Sequence, residues 1–294
     1  MNTGIHSMTG FGRSEASDGT WKVTIEIGSV NRKQFDCNIT LPRELAVLEG
    51  RLQSFIRSRV SRGYIKGSVV ISAVEGTVPV PNLSQLRPQI SALRAAAGEL
   101  GLADDLSASS LFAFPDALKT SLLSGSSEII WPLLEKALSA ALDQLTAMRR
   151  AEGENLKQDL LSRLGDLRRI KEEIASLAPS VPLRYKETLA KRLATLLPPE
   201  NPVAPELLAR EVAVFADHCD ISEELTRLDS HFQQADKIFA DGGACGRTLD
   251  FLCQEMFREI NTTGAKANDA EIARLVITFK TGLEAIREQV QNIE

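Results

Sequence analysis

Two stretches towards the C-terminus concentrate side chains able to move protons, bind phosphates or hold metal ions. In FADHCDISEELTRLDSHFQQ, residues 215–234, Ile221, Leu225, Leu228 and Phe232 follow helical spacing, and Asp220, Glu224, Arg227 and His231 repeat it one residue earlier. One stripe is therefore apolar. A second, about 100° around the helix, carries two carboxylates, a guanidinium and an imidazole. The surface of an amphipathic helix with local Glu224–Arg227 pairing gives the same pattern. His231, one of three histidines in the chain, adds an imidazole, a side chain suited to acid–base work. Together these groups suit a hard divalent cation or proton transfer.

The second stretch is GRTLDFLCQEMFREINTTGAK, residues 246–266. Helical spacing puts Leu249, Leu252, Cys253, Met256, Phe257 and Ile260 on one half of the circle and Asp250, Gln254, Glu255, Arg258 and Glu259 on the other. Glu255 and Glu259 are one turn apart, so their carboxylates can converge on Mg2+ or Mn2+, which take oxygen ligands and keep waters for substrate phosphates. Phe251, in the polar half, is either a contact between copies or a platform for a base. Asn261, Thr262 and Thr263 are expected beyond the helix, with Gly264 as its C-cap and Lys266 just after.

The elements that must position these groups have two textures. Through residue 75 the pattern is strand-like in HSMTGFGRSE, in TWKVTIEIGSV with Trp21, Val23, Ile25 and Ile27 alternating, and in QFDCNITL. PRELAVLEGRLQSFIRSRVS then has helical spacing, and GYIKGSVVISAV returns to strand. From about residue 82 nearly everything reads as helix, interrupted at 107–117 and 198–205. The fold class is α+β: a mixed β-sheet/helix domain over 1–80, a helical connector over 81–131, and an all-α region over 132–294. The helix over 132–178 is long enough to bridge domains or reach a partner subunit. Asn268 with Glu271 has the form of a capping box. After it, Ile272, Val276, Phe279, Leu283, Ile286, Val290 and Ile293 form a heptad seam that packs inside its own domain or against another copy.

Composition narrows the class. With 294 residues, 43% of them hydrophobic and 25% charged, the chain supports a sizeable core. The N-terminus lacks the apolar run of a signal peptide, and no stretch approaches the roughly 20 apolar residues of a bilayer span. The expectation is a cytoplasmic protein with no membrane association. Cys37, Cys219, Cys245 and Cys253 include no CxxC pair, so they are expected to be reduced thiols, mostly buried. The net charge of −5 argues against wholesale nucleic-acid binding, yet residues 51–66 carry Arg51, Arg57, Arg59, Arg62 and Lys66 with no acid. That run grips phosphates or is a solvated helix face.

Several of these stretches resemble the YicC/YloC family of bacterial endoribonucleases. ADHCDISEELTRLDSH, GRTLDFLCQEMFREINTTGAK and EAIREQVQNIE are similar to the family's C-terminal signature. SMTGFGRSE, EIGSVNRKQFD and SRGYIKGSVVIS resemble its opening strands, and MRRAEGENL its mid-chain Arg-x-x-Glu-Gly turn of helix. The resemblance implies cleavage of RNA with a divalent cation, Mn2+ favoured and Mg2+ as the alternative, by a ring-like homo-oligomer, a hexamer. It carries over Asp220, Glu223, Glu224, Arg227, His231, Asp250, Gln254, Glu255, Arg258, Glu259, Asn261 and Lys266. Phe257 departs from the family's usual Asn, Ala265 from Ser, and Gly28 from an Arg before Ser-Val-Asn.

On this basis Glu255, Glu259, Asp220 and Glu224 are the expected metal ligands, and Glu255, Glu259, His231 and Arg258 the expected catalytic groups. Arg32, Arg57, Arg59, Arg62, Lys66, Arg227 and Lys266 are the expected RNA contacts. A rival expectation treats the same acids and bases as ion-pair networks fixing a ring that binds RNA without cutting it. A third, a scaffold with no RNA function, is weakly favoured by the acidic pI of about 5.5.

Overall fold

A computed structural model describes residues 4–32, 34–74, 83–113, 127–196 and 204–294. The chain divides into two compact units, one of residues 9–148 and one of residues 1–8 with 149–294. The division falls within one long helix, between Met148 and Arg149.

In the first unit, alternation decides the architecture. Strands β1 (Gly10–Ser17), β2 (Trp21–Val30), β3 (Asp36–Thr40) and β4 (Tyr64–Ala73) form a mixed sheet in the order β1-β2-β4-β3. The β1–β2 and β2–β4 pairs are antiparallel, and β3 runs parallel to β4. Trp21, Val23, Ile25 and Ile27 face one side and are buried. Against them pack Leu52 and Ile56 of α1 (Glu49–Arg59), whose entry is the 3-10 turn Arg43–Leu48. The same core takes Trp131, Leu134, Leu138, Leu142 and Leu145 from the start of α3 (Ser127–Leu177). At Gly12 a Cβ would lie 2.0 Å from the Ala141 carbonyl oxygen, so only glycine lets β1 approach this helix so closely. Helix α2 (Leu83–Glu99) and the 3-10 turn Ala108–Ala113 also belong to this unit. The rest of the expected interruption through 117, and residues 198–203 of the second, lie outside the described residues.

Helix α3 spans 51 residues, and from Arg149 onward it belongs to the second unit. There it is joined by α4 (Val181–Leu196), α5 (Pro205–His218), α6 (Ser222–Asp241), α7 (Gly246–Lys266) and α8 (Ala270–Val290). All seven residues of the heptad seam are buried in this unit's own core, where Phe279 meets Phe232 edge-to-face at 6.3 Å. Among the described residues no helix is long and apolar enough to cross a membrane.

Three local expectations shift. The N-cap of α8 is Asp269, not Asn268: Asn268 takes a left-handed φ of 45°, and the Asp269 carboxylate accepts the Glu271 and Ile272 N–H groups. Helix α7 continues through Asn261-Thr262-Thr263 to Lys266, with Gly264 inside it. A Cβ at Gly264 would sit 3.0 Å from Val276 Cγ1, so this glycine serves close packing on α8 rather than a cap. The strand expected from His6 begins only at Gly10, because residues 5–8 join the helical unit.

That N-terminal segment pairs with the other end of the chain. His6 and Glu294 exchange backbone hydrogen bonds at 3.1 and 2.8 Å, and the Met8 N–H donates to the Asn292 carbonyl at 2.9 Å. Arg149, almost fully buried, donates from Nε to the Ser7 carbonyl at 2.6 Å and pairs with the Glu294 carboxylate. At Gly153 a Cβ would meet the Ile5 carbonyl oxygen at 2.2 Å. The Arg-x-x-Glu-Gly turn at 149–153 thus fastens the two ends together.

Candidate active site in the α6–α7 hairpin

Helices α6 and α7 are joined by residues 242–245, where Gly242 and Gly243 hold φ of 67° and 82°. Their apolar stripes, Leu228, Phe232, Ala235 and Phe239 on α6 with Leu249, Leu252, Met256 and Ile260 on α7, enter one core. This brings the start of α6 against the end of α7.

Two cross-helix pairs result. Lys266 Nζ lies 2.6 Å from Glu224 Oε1, and Arg227 lies 3.6 Å from Glu259 Oε1 while also bonding Glu223 on its own helix. The local Glu224–Arg227 pairing expected from spacing is replaced by these. Glu224 is only 4% exposed, and its second oxygen, Oε2, is buried with no hydrogen-bond partner among the described residues. Leaving such an oxygen unpaired is costly, more so on a carboxylate. Glu259, expected on the solvent half of α7, is buried as well.

The expected convergence of Glu255 and Glu259 takes another form. Glu255 accepts from Arg258 at 2.7 Å and Glu259 faces Arg227, so each carboxylate has its own guanidinium. Asp250 accepts from Gln254 at 2.9 Å and from Arg287 of α8 at 3.0 Å. Phe257 leaves the apolar half and is exposed, with Lys280 Nζ 5.9 Å from its ring centre; Phe251 is 61% exposed.

Asp220 precedes α6 and accepts the Ser222 N–H at 2.9 Å; that bond holds its carboxyl below the usual range. The hydrogen bond that Lys266 donates to Glu224, then the charges of Glu224, Glu223 and Asp220, raise the Lys266 ammonium above its ordinary pKa. Lys266 is therefore the direct counter-ion of Glu224. His231 is half-buried on α6, and its Nδ1 is buried without a partner among the described residues.

The donor set can be tested against a divalent cation. Among the described residues no three His, Cys, Asp or Glu side chains converge as a metal-binding group. Mg2+-like ions, however, are commonly held by one or two carboxylates completed by phosphate oxygens and water. The unpartnered Glu224 Oε2 fits that kind of site. Glu255 and Glu259 fit it only by releasing Arg258 and Arg227.

The expected RNA contacts of the sheet unit are dispersed over several settings. Arg32 pairs with Asp36 and lies over the Tyr64 ring at 5.4 Å; Arg57 lies 5.9 Å from the Phe35 ring centre. Arg59 is tied to Asp143 at 3.3 Å, and Arg51 to Glu128 at 3.3 Å and to the Trp131 face. Arg62 Nε is buried without a partner among the described residues, and Lys66 stands on the open face of the sheet.

Sequence spacing missed a third layer of charge behind the hairpin. Arg168 and Lys171 of α3 reach Asp236 and Asp229 of α6 at 2.6 and 2.7 Å, and Arg168 also donates to the Phe232 carbonyl. The i, i+3 spacing of 168 and 171 against the i, i+7 spacing of 229 and 236 was the available signal. It becomes meaningful only once the helices are known to be neighbours.

A mixed-sheet α+β unit followed by a long-helix unit, with acid–base pairs laid across one hairpin, defines a two-part class of proteins. Two family descriptions cover nearly all of the chain: "Endoribonuclease YicC-like, N-terminal region" over residues 5–158 and "Endoribonuclease YicC-like, C-terminal" over 174–294. A protein named "Probable endoribonuclease YicC" from Clostridioides difficile (strain 630) is 36% identical over 298 residues, covering 98% of this chain and 99% of that relative. One of the same name from Haemophilus influenzae is 29% identical over 298 residues, covering 99% and 100%. The chain belongs to the YicC-like endoribonuclease family.

Proposed function

We propose that this chain is an endoribonuclease that cuts single-stranded or structured RNA in RNA turnover and depends on a divalent cation, Mn2+ favoured over Mg2+. In the same reading it works in the cytoplasm as a homo-oligomer, a hexamer. Support for RNA cleavage comes from the family and from the names of both relatives. The observation that supports this site is Glu224 Oε2, an unpartnered carboxylate oxygen buried at the head of the α6–α7 hairpin.

Glu224, with Asp220, would hold the cation. Once bound, the ion supplies Lewis-acid stabilisation of the phosphoryl oxygens and lowers the pKa of a bound water. The protein's own groups do the rest. Lys266 and Arg227 offset phosphate charge at the hairpin, and Arg258 does so from the outer side of α7. His231 moves the proton at a ribose 2′-hydroxyl or at the leaving oxygen through its imidazole. Glu255 and Glu259 hold Arg258 and Arg227 in place, and would be free to hold the cation where RNA phosphates draw those guanidinium groups away.

The test is cleavage of a labelled RNA with EDTA, Mg2+ or Mn2+, run on the unmodified chain and on Glu224→Gln, Glu255→Gln and His231→Ala. The expected result is metal-dependent cutting that Glu224→Gln abolishes and His231→Ala slows by about 10²–10⁴-fold. Equal cutting by Glu224→Gln and the unmodified chain would place the chemistry elsewhere.

One set of observations favours a second reading. The Glu224–Lys266, Glu259–Arg227 and Glu255–Arg258 pairs also suit an ion-pair network that fixes a non-catalytic RNA-binding ring. RNA retention without cutting under every metal condition would select it.

A further inference from the structure

The open face of the sheet carries a groove of about 370 Å³ that the hairpin site does not use. Strand register places its residues in rows. Phe11 pairs with Gly28, Gly28 with Lys66, and Lys66 with Asn38, so one row across four strands reads aromatic ring, no side chain, ammonium, amide. The next row reads Arg13, Glu26, Ser68, Thr40. Neighbouring strands lie about 4.8 Å apart, so the gap above Gly28 is a slot about two strand spacings wide between Phe11 and Lys66.

The glycine is what makes the slot, and packing does not require it. At Gly67, on the adjacent strand, a Cβ would lie 2.2 Å from the Glu26 carbonyl oxygen, so backbone approach dictates glycine there. At Gly28 a Cβ would meet nothing nearer than the Gly10 carbonyl oxygen at 3.7 Å, an ordinary contact, and the backbone φ is not positive. A glycine inside a strand weakens it and commonly marks the close approach of a ligand. Phe11 leaves half of its surface exposed beside that gap.

Charge states what fits. Glu26 is offset by Arg13 at 3.3 Å, whereas Lys66 has no ion-pair partner among the described residues, leaving the groove one uncompensated cation. Tyr64 closes one end beneath the Arg32 guanidinium. A flat ring, a slot, an ammonium and flanking amide and hydroxyl groups match an unpaired nucleotide: base on the ring, phosphate on the cation, base edge on the polar row.

Resting on the reading of the chain as an RNA-acting enzyme, we infer that this groove seats a nucleotide of single-stranded RNA, its base stacked on Phe11 over Gly28 and its phosphate on Lys66. A duplex, whose bases are stacked on one another, is not a ligand for it.

The test is fluorescence anisotropy of the full chain with a labelled single-stranded RNA and with the same sequence as a blunt duplex, in EDTA so that cutting does not intervene. Phe11→Ala should weaken single-strand binding about tenfold. Gly28→Val, which fills the slot at a position where the backbone tolerates a Cβ, should weaken it to a similar degree, and Lys66→Ala should lower the salt slope by about one. Circular dichroism like that of the unmodified chain certifies the fold. Unchanged single-strand binding by Phe11→Ala and Gly28→Val overturns the inference, as does equal loss on the duplex or a change in oligomeric state alone. Metal-dependent cutting assayed alongside separates the two readings. Cutting with unaffected Phe11→Ala binding removes only the groove, Phe11-sensitive binding without cutting keeps the groove and removes the nuclease, and no RNA binding by the unmodified chain removes both.

Discussion

Glu224 and Lys266 show how much one buried oxygen constrains a site. The carboxylate is held almost out of water, and the Lys266 ammonium is its one bonded cation among the described residues. Lys266→Ala should therefore lower the thermal midpoint, and Lys266→Arg should restore part of the loss, as read by thermal unfolding. Its pH dependence has a definite sign. The folded pKa of Lys266 is raised, so the pair's stabilisation is present below the ordinary 10.5 and is lost as pH rises through the raised value. Asp220 is depressed, so its contribution holds above 3.8 and is lost as pH falls through the lower folded value. The Lys266→Ala deficit should be flat across about pH 5–8 and shrink in alkali as the ammonium loses its proton. Cys253 gives a separate check: burial pushes its thiol from 9.0 up to about 12. Iodoacetamide near pH 8 should label it only after unfolding, because the thiolate is the reactive form.

At the scale of elements, glycines report where backbones meet. Gly264 lies inside α7 with Val276 of α8 against it, so Gly264→Val should overpack that contact and destabilise the helical unit by about 1–3 kcal/mol in denaturant unfolding. Gly153 admits the Ile5–His6 backbone, and Gly153→Ala should displace the N-terminal segment while α3 stays helical. Faster hydrogen exchange at the Met8 and Glu294 amides would register that displacement. His6 in this segment has its pKa lowered by burial and by Arg149, so its contribution to stability is lost as pH falls below 6.5. The same amides should therefore exchange faster in acid than the core of α8.

At the scale of the whole molecule, the N-terminal eight residues belong to the helical unit although the sheet follows them directly in sequence. Ile5 and Met8 are buried there, while both tryptophans, Trp21 and Trp131, sit in the sheet unit's core. Deleting residues 1–8 should lower the unfolding midpoint read by far-ultraviolet circular dichroism more than that read by tryptophan fluorescence. Coincident shifts would mean the two units unfold as one. Much of this architecture follows from the sequence by itself: the four strands, the long helix, the apolar stripes of α6 to α8 and the α+β class. These depend on side-chain period along one element, which the local backbone sets. The residue types of the candidate site were equally legible. Partnership was decided only in three dimensions. Glu224 faces Lys266 rather than Arg227, Glu259 is buried against Arg227, the heptad seam closes inside its own unit, and Arg149 binds the chain's two ends. Periodicity fixes the direction of a side chain about its own axis, whereas the group it meets depends on the register and crossing of two packed elements. Those are set by contacts among residues far apart in sequence, which no local spacing encodes.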